Sequence, residues 1–194
     1  RYTLSSQQMP KLYTPEPELG SPCHDFQLPA TSGKTLSMRE LSKGADAFLV
    51  MFICNHCPYV KAIEPRLAKL HALFQGRKGV NGGGVSMVGI SANDAVGYPE
   101  DSFEKMKEKN HPYPYLYDES QKVAQKFGAV CTPDFFLYDR NLKLVYRGRL
   151  DDNWQDESKV TTRDLAGAIE SLLQGMHPNR EQKPSMGCSL KWKP

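Results

Sequence analysis

Residues 52–61, FICNHCPYVK, join an apolar run to an amphipathic one. The run at residues 47–53 is short and rich in Phe, Val and Ile, a pattern that predicts a buried strand. Apolar residues then recur at helical spacing up to Phe74, and Pro58 suits the first turn of such a helix, where N–H groups are unpaired anyway. We therefore expect Cys54 and Cys57 where a buried strand meets a helix N-terminus.

Two cysteines separated by two residues at such a junction predict a dithiol that opens and closes a disulfide. The unpaired N–H groups and the helix dipole both stabilise a thiolate. We expect Cys54 to be the attacking thiolate, because it is the more exposed of the two and the nearer to the helix N-terminus. Cys57 would then resolve the mixed disulfide. His56 would favour the Cys54 thiolate and make the disulfide more oxidising than that of thioredoxin, unless it is a solvated side chain of little influence.

A zinc site is the alternative interpretation of the same segment. Cys54 and Cys57, with His56 and His71 nearby, could supply half of a tetrahedral ligand set. A structural zinc site normally needs a second ligand pair, and the other three cysteines are single and far apart. The redox interpretation is favoured, and neither a metal nor a cofactor is predicted.

Composition argues against several other classes of function. The 194 residues carry 25 basic and 22 acidic side chains, a formal net charge of +3, and contain no dense Lys/Arg run. Neither nucleic acid nor a membrane is therefore an expected partner. No apolar stretch approaches the roughly 18 residues of a transmembrane helix. Five cysteines are too few for a disulfide scaffold and one pair has redox spacing, which favours a reducing, soluble compartment.

The chain divides into three predicted parts. Residues 1–19 form a polar arm broken by prolines, residues 20–176 form one domain, and residues 177–194 form a polar tail whose last apolar residues could dock. Within the domain, a hairpin is followed by a parallel β-α-β unit with a right-handed crossover and by an antiparallel ribbon with a covering helix. The predicted boundaries are a hairpin at 20–36, strands at 85–91, 134–138 and 142–149, and helices at 38–41, 99–110, 119–127 and 164–173.

That order, with the Cys-Asn-His-Cys segment at the first long helix and Thr132-Pro133 before a hairpin strand, resembles the thioredoxin fold. The N-terminal hairpin, DFQLP at residues 25–29 and the insertion around residues 92–117 are similar to the peroxiredoxin-like redoxins of the AhpC/TSA superfamily that carry a Cys-x-x-Cys. RGRLDD at residues 147–152 and GCSLKW at residues 187–192 are similar to the same group. The resemblance implies an α/β protein with a central mixed sheet flanked by helices, an N-terminal hairpin extension and a helical insertion.

The resemblance also implies where a substrate would bind. Thr132 and Pro133 correspond to the cis-proline loop that faces the two cysteines in this fold, and Thr132 would offer its backbone groups to an extended substrate strand beside Cys54. An ordinary trans proline at the start of an edge strand is the alternative. Asn55 and His56, between the two cysteines, are expected to contact the same substrate.

Two further cysteines are candidates for redox chemistry. Cys131 would lie near the same surface, although a small buried filler is the alternative. Cys188 could resolve a disulfide of Cys54 or Cys57 if the tail folds back, and a plain tail thiol is the alternative.

The expected activity is that of a thiol–disulfide oxidoreductase acting on protein or small-molecule disulfides. Its partners would be a disulfide-containing protein or small thiol substrate and an upstream reductant, and the protein would be a monomer or homodimer. One alternative is a thiol peroxidase with Cys54 as the peroxidatic residue. Another is a non-catalytic module that senses redox state or holds a metal.

The sequence departs from the peroxidatic pattern of true peroxiredoxins. That pattern is Pro-x-x-x-Thr-x-x-Cys with an arginine later in the fold, and this chain has Ala47, Met51 and Pro133 in the three places. The threonine and arginine orient and polarise the peroxide. Without them, Arg147 or Arg149 would have to act from another strand.

Overall fold

The computed structural model describes residues 11–194. These residues form ten strands: β1 (Lys11–Tyr13), β2 (Gln27–Pro29), β3 (Thr35–Ser37), β4 (Ala45–Phe52), β5 (Gly84–Ser91), β6 (Tyr115–Tyr117), β7 (Cys131–Thr132), β8 (Asp134–Asp139), β9 (Leu144–Tyr146) and β10 (Met186–Ser189). They also form six α-helices: α1 (Met38–Ser42), α2 (Pro58–Lys61), α3 (Glu64–Phe74), α4 (Phe103–Lys107), α5 (Lys122–Phe127) and α6 (Asp164–Leu173). Two 3₁₀ turns lie at Pro99–Asp101 and Glu157–Lys159. Over the described range, no helix is long and apolar enough to cross a membrane.

The central sheet has five strands in the order β6-β5-β4-β8-β9. Strand β4 pairs parallel with β5 and antiparallel with β8, and β2 and β3 form a separate antiparallel hairpin. Successive residues of β4 pack alternately into two apolar clusters, one on each face of the sheet. This burial on both faces explains why residues 47–53 read as a continuous apolar run. The predicted mixed α/β thioredoxin fold with its hairpin extension is confirmed.

The helix predicted to begin at Pro58 and to continue to Phe74 is divided in two. Helix α2 begins at Pro58, as expected, and ends at Lys61, and α3 begins at Glu64. Pro65 lies in the first turn of α3 and has no N–H with which to continue a single helix from α2. The division leaves α2 as a helix of four residues whose N-cap is Cys57.

The inserted segment is less helical than predicted. The helix expected over residues 99–110 is a 3₁₀ turn followed by α4. Ser102 separates the two, because it is extended and its Oγ accepts a hydrogen bond from the N–H of Lys105 as the N-cap of α4. The 3₁₀ turn thereby projects Asp101 into the protein, where its exposure is 0%.

Two later elements are also shorter than predicted. Helix α5 begins at Lys122 rather than at residue 119, because Gln121 has a left-handed backbone with a φ of 65°. The strand predicted over residues 142–149 is confined to β9, and Leu142 lies in a left-handed turn with a φ of 57°. Both positive φ values interrupt regular hydrogen bonding at the start of the predicted element.

The arm and the tail form a small sheet of their own against the domain. Strands β1, β10 and β7 are antiparallel in that order, so residues from all three predicted parts of the chain meet there. A Cβ on Gly187 would lie 1.9 Å from the carbonyl oxygen of Thr132, so only glycine permits this close approach. The predicted arm at residues 1–19 lies partly outside the described residues. The tail, whose position the sequence left open, docks beside the predicted site.

Candidate active site

Cys54 and Cys57 lie in the loop between β4 and α2, and both are buried. Their exposed fractions are 1% and 0%, so the prediction that Cys54 is the more exposed gives it no practical advantage in access. The prediction that Cys54 lies nearer to the helix N-terminus is wrong. Cys57 is the N-cap residue of α2, because the helix begins at Pro58. The N-terminal end of the helix therefore favours a thiolate at Cys57.

The surroundings of Cys54 favour its protonated form. Its Sγ lies 3.4 Å from the Oγ1 of Thr132. Burial raises the pKa of Cys54, and the hydrogen bond with Cys57 and the negative charge of Asp101 raise it further. The thiol of Cys54 is therefore the proton donor between the two cysteines.

The surroundings of Cys57 favour its thiolate. Its Sγ lies 2.9 Å from the Sγ of Cys188. Hydrogen bonds from the thiols of Cys188 and Cys54 lower the pKa of Cys57, although burial acts in the opposite direction. The same sulfur lies 3.4 Å from the carbonyl oxygen of Thr132, to which it can donate only while it is protonated. The resting thiolate is therefore favoured at Cys57, whereas the prediction placed it at Cys54.

Asp101 anchors the loop that carries the two cysteines. One of its oxygens accepts the backbone N–H groups of Asn55 at 2.7 Å and His56 at 3.2 Å. The other accepts the side-chain amide of Asn93 at 2.8 Å and is paired with the Nδ1 of His56. Burial raises the pKa of Asp101, but the hydrogen bonds from His56 and Asn93 outweigh it and hold the pKa below its usual range. Asp101 is therefore an ionised group beneath the site.

His56 and Asn55 are held by the inserted segment and not by solvent. The side chain of His56 is 13% exposed and stacks on Tyr98 with ring centroids 5.3 Å apart, so it is not a solvated histidine. Its influence on the Cys54 thiolate stays a prediction. Asn55 donates its amide to the carbonyl of Glu100 at 2.9 Å and accepts the hydroxyl of Tyr115 at 2.8 Å. A substrate contact by the Asn55 side chain stays a prediction that would require these bonds to open.

Asp101 is the functional residue that sequence reasoning missed. It lies in a segment that reads as a charged helix, among other acidic residues such as Glu100 and Glu104. No local spacing separates the carboxylate that turns inward from those that face solvent. Its contacts with Asn55 cross 46 positions of sequence, which only the folded insertion brings together.

The predicted loop before β8 faces the cysteines, and the Thr132-Pro133 peptide bond is cis, as expected. The edge that was expected to receive a substrate strand is already paired. Strand β10 lies against it, with Cys188 opposite Thr132 and Ser189 opposite Cys131. An external strand could pair with Thr132 only if the tail moved away.

The remaining two cysteines have different surroundings. Cys131 is fully buried, with its Sγ 3.8 Å from the carbonyl oxygen of Pro133, and burial raises its pKa. This is the environment of a small buried filler. Cys188 is 1% exposed and in contact with Cys57, so the alternative of a plain tail thiol is wrong.

An aromatic groove of about 280 Å³ lies on the tail side of the site. Tyr59 and Trp154 form part of its wall, with ring centroids 4.4 Å apart. The wall also includes Pro133, which follows Thr132, and Met186, which lies on β10 with Cys188. The groove therefore leads toward the strand that carries Cys188 and the loop that faces Cys57.

One group of side chains has the donor types of a metal site. Cys54, His56 and Asp101 each bring a ligand atom within 4.8 Å of the others. His71, which the zinc interpretation included, instead has its ring near Tyr113. A metal ion would also compete for carboxylate oxygens of Asp101 that each accept two hydrogen bonds. The geometry favours a structural use of this carboxylate.

Neither arginine considered for peroxide chemistry is directed at Cys54. Arg147 is paired with Asp134 at 2.8 Å and lies over the ring of Phe136. Arg149 is paired with Asp164 at 2.8 Å. The charged neighbour that acts on Cys54 is an anion, which is opposite to what a peroxidatic thiolate needs.

Comparison with known structures gives strong similarities as well as distant ones. An uncharacterized conserved protein from Geobacillus kaustophilus is 42% identical, with a TM-score of 0.86 over 96% of this chain and 98% of that chain. The thioredoxin domain of a thiol-disulfide oxidoreductase from Bacteroides vulgatus is 19% identical, with a TM-score of 0.59 over 80% and 98%. A peroxidoxin from Mycobacterium tuberculosis is 21% identical, with a TM-score of 0.53 over 78% and 94%. The last two show the fold alone. No curated protein matches the chain.

The family model is more specific. The model of the AhpC/TSA family matches residues 19–147, which is more than half of the chain and contains both cysteines of the loop and the cis-proline. A thioredoxin-fold redoxin with thiol redox chemistry accounts for the sheet, the buried dithiol and this match together. The chain therefore belongs to the AhpC/TSA family.

Proposed function

We propose that this protein is a thiol–disulfide oxidoreductase that uses Cys54 and Cys57 as its dithiol/disulfide couple. The observation that carries the proposal is geometric: the Sγ atoms of Cys54 and Cys57 each lie 3.4 Å from an oxygen of Thr132, the residue before the cis-proline. The pKa of Cys57 is lowered and that of Cys54 is raised, each partly through the hydrogen bond with the other. A dithiol that holds one proton between two sulfurs can present either sulfur as a thiolate without taking a proton from solvent.

The reaction begins when the proton of Cys54 moves to the Cys57 thiolate. The Cys54 thiolate then attacks one sulfur of a substrate disulfide, and the other substrate sulfur leaves as a thiolate that takes a proton from water. Cys57 then attacks the Sγ of Cys54, the bond between Cys54 and the substrate breaks, and the second substrate sulfur leaves with the proton that Cys57 gives up. Two electrons pass from the dithiol to the substrate, which is reduced to two thiols, while Cys54 and Cys57 become a disulfide.

The groove beside Tyr59 and Trp154 supports a polypeptide as the substrate. Aromatic walls bind the apolar side chains of an extended polypeptide segment well. The expected partners are therefore a protein disulfide and an upstream dithiol that returns the couple to its reduced form. Small disulfides would react without the benefit of the groove.

Reduction of insulin disulfides with dithiothreitol tests the couple. Cys54→Ser and Cys57→Ser should each lose activity by about 10³-fold, because residues that act as a unit fail together. Cys23→Ser is the matched control, since Cys23 lies in the N-terminal region with its Sγ near the carbonyl of His24, and it should keep wild-type activity. Activity that survives in Cys54→Ser would contradict the proposal. Peroxide consumption by the same proteins would identify a peroxidase if it exceeds disulfide reduction.

A further inference from the structure

The tail strand brings a third cysteine to the site. Cys188 is opposite Thr132 in the β10–β7 ladder, and its Sγ is 2.9 Å from that of Cys57. Cys57 therefore has a sulfur neighbour on each side, with Cys54 in the loop and Cys188 on the tail. Cys57 is the N-cap of α2 and Cys188 lies on β10, and two sulfurs at this distance are placed to exchange a disulfide bond with small movements.

The position of the tail is specified by several contacts and not by one. The hydroxyl of Ser185 donates to the carbonyl of Pro133 at 2.8 Å on one side of Cys188. On the other side, the N–H of Lys191 donates to the side-chain oxygen of Asn93 at 2.9 Å. Gly187 permits the backbone contact with Thr132 described above. The tail thus lies where an extended substrate strand would pair with the cis-proline loop.

Resting on the proposed function, we propose that Cys188 is the third redox cysteine and that its disulfide partner is Cys57. The tail strand acts as a substrate strand built into the chain. Cys57 is the central sulfur, which forms one disulfide with Cys54 and an alternative one with Cys188. Cys131 is on the neighbouring strand but contacts Pro133 instead, so it takes no part.

The exchange is balanced without an external oxidant. In the Cys54–Cys57 disulfide, the sulfur of Cys188 loses its proton and attacks the Sγ of Cys57. The bond between Cys57 and Cys188 forms, the bond between Cys54 and Cys57 breaks, and Cys54 leaves as a thiolate that takes up a proton. The protein stays oxidised by two electrons throughout. An upstream dithiol then reduces the Cys57–Cys188 disulfide and is itself converted to a disulfide.

Disulfide mapping of Cys54→Ser tests the pairing directly. The reduced variant is treated with one equivalent of diamide, which removes two electrons from a pair of thiols, then alkylated and digested. We expect a cross-linked peptide pair that joins Cys57 and Cys188. The pair should persist in Cys54→Ser/Cys131→Ser and disappear in Cys54→Ser/Cys188→Ser. If Cys57 is recovered in alkylated form, or is cross-linked to Cys131, the proposal is overturned.

Gly187→Ala tests whether the tail strand delivers the cysteine. The new Cβ would meet the carbonyl oxygen of Thr132, so β10 should lose its place on β7. In the Cys54→Ser background, we expect the yield of the Cys57–Cys188 pair to fall by about tenfold. Gly167→Ala is the matched control, because nothing lies within 4 Å of its new Cβ. An unchanged yield in Gly187→Ala would overturn delivery by the strand.

Cys188→Ser separates this proposal from the proposed function. With diamide as the oxidant, it should still form the Cys54–Cys57 disulfide. If it forms no such disulfide while Cys54→Ser does join Cys57 to Cys188, the couple of the proposed function fails and the tail pairing stands. If Cys188→Ser is oxidised normally and Cys54→Ser is not, the tail pairing fails alone.

Discussion

The two cysteines of the loop are equally buried, yet the insertion on one side of the site and the tail on the other favour opposite protonation states for them. On the insertion side, Cys54 has the Asp101 carboxylate for a neighbour. On the tail side, Cys57 receives a hydrogen bond from Cys188 at the N-terminus of a helix. Exposure therefore does not decide which sulfur is ionised, because neither sulfur is exposed.

The size of the electrostatic effect supports this assignment. The ligand atoms of Cys54 and Asp101 lie within 4.8 Å of each other. Two unit charges at such a distance repel by about 3 kcal/mol at an effective dielectric constant near 20. A shift of one pKa unit corresponds to about 1.4 kcal/mol, so the Asp101 carboxylate adds to the burial and the hydrogen bond with Cys57 that already disfavour a thiolate at Cys54. The insertion thus contributes one charge to the difference between the two cysteines.

The largest expected effect is on the thiolate itself. Reduced Cys57→Ser should lose the ultraviolet absorbance of a thiolate at neutral pH, whereas reduced Cys54→Ser should keep it. The lowered pKa of Cys57 means that its thiolate persists as the pH falls below about 8.5, the ordinary value for cysteine. Because the folded pKa is depressed, this thiolate stabilises the fold fully above the ordinary pKa and loses that contribution as the pH falls through the folded value.

Cys131→Ser is the control for this titration, since burial raises the pKa of Cys131 and it carries no thiolate at neutral pH. If the thiolate absorbance remained in Cys57→Ser and were lost in Cys54→Ser, the thiolate would belong to Cys54 and the comparison between the two sides would be reversed. The insertion would then have no control over the position of the charge.

The fold could be predicted because its signals are local. The apolar run before Cys54 and the helical spacing after Pro58 each lie within about a dozen residues. The confirmed position of Pro58 in the first helical turn also places the N-cap at Cys57, and this was the signal in the sequence for a thiolate there. The prediction that placed Cys54 at the helix N-terminus overlooked the three residues between Cys54 and Pro58.

The rest of the site could not be predicted because its contacts span the chain. Cys57 and Cys188 are 131 positions apart, and no periodicity connects them. The inward turn of Asp101 depends on Ser102, which ends the 3₁₀ turn and starts α4. Composition identified the tail as polar, but its docking depends on contacts with distant residues, such as the close approach of Gly187 to Thr132. Such contacts are properties of tertiary structure, and no pattern in the local sequence predicts them.

Asp101→Asn is expected to have the next largest effect. It should lower the free energy of unfolding by about 2 kcal/mol, because an amide keeps one acceptor and turns its NH₂ toward the donors of Asn93 or His56. The pKa of Asp101 is below the unfolded value of about 3.9. Its contribution is therefore complete above that pH and is lost as the pH falls through the folded pKa, a slope that the variant should lack.

Urea unfolding at several pH values measures both effects of Asp101→Asn. Glu104→Gln is the matched control on the same insertion, because its side chain is 82% exposed, and its stability should stay within about 0.5 kcal/mol of wild type. The pKa of Cys54 should also fall in Asp101→Asn and stay unchanged in the control. Equal stabilities for the two variants would show that the insertion does not anchor the loop.

The smallest expected effect is on substrate binding at the tail side. Trp154→Ala removes one wall of the groove beside Tyr59 and should raise the KM for insulin about fivefold, or about 1 kcal/mol, with kcat nearly unchanged. Trp192→Ala is the matched control, since this tryptophan is 43% exposed on the tail and does not line the groove. Because the groove leads toward Cys57 and Cys188, a KM effect confined to Trp154→Ala would mean that substrate arrives on the same side as the resting thiolate. A KM effect confined to Trp192→Ala would place the substrate outside the groove, and the tail side would then serve the exchange between cysteines alone.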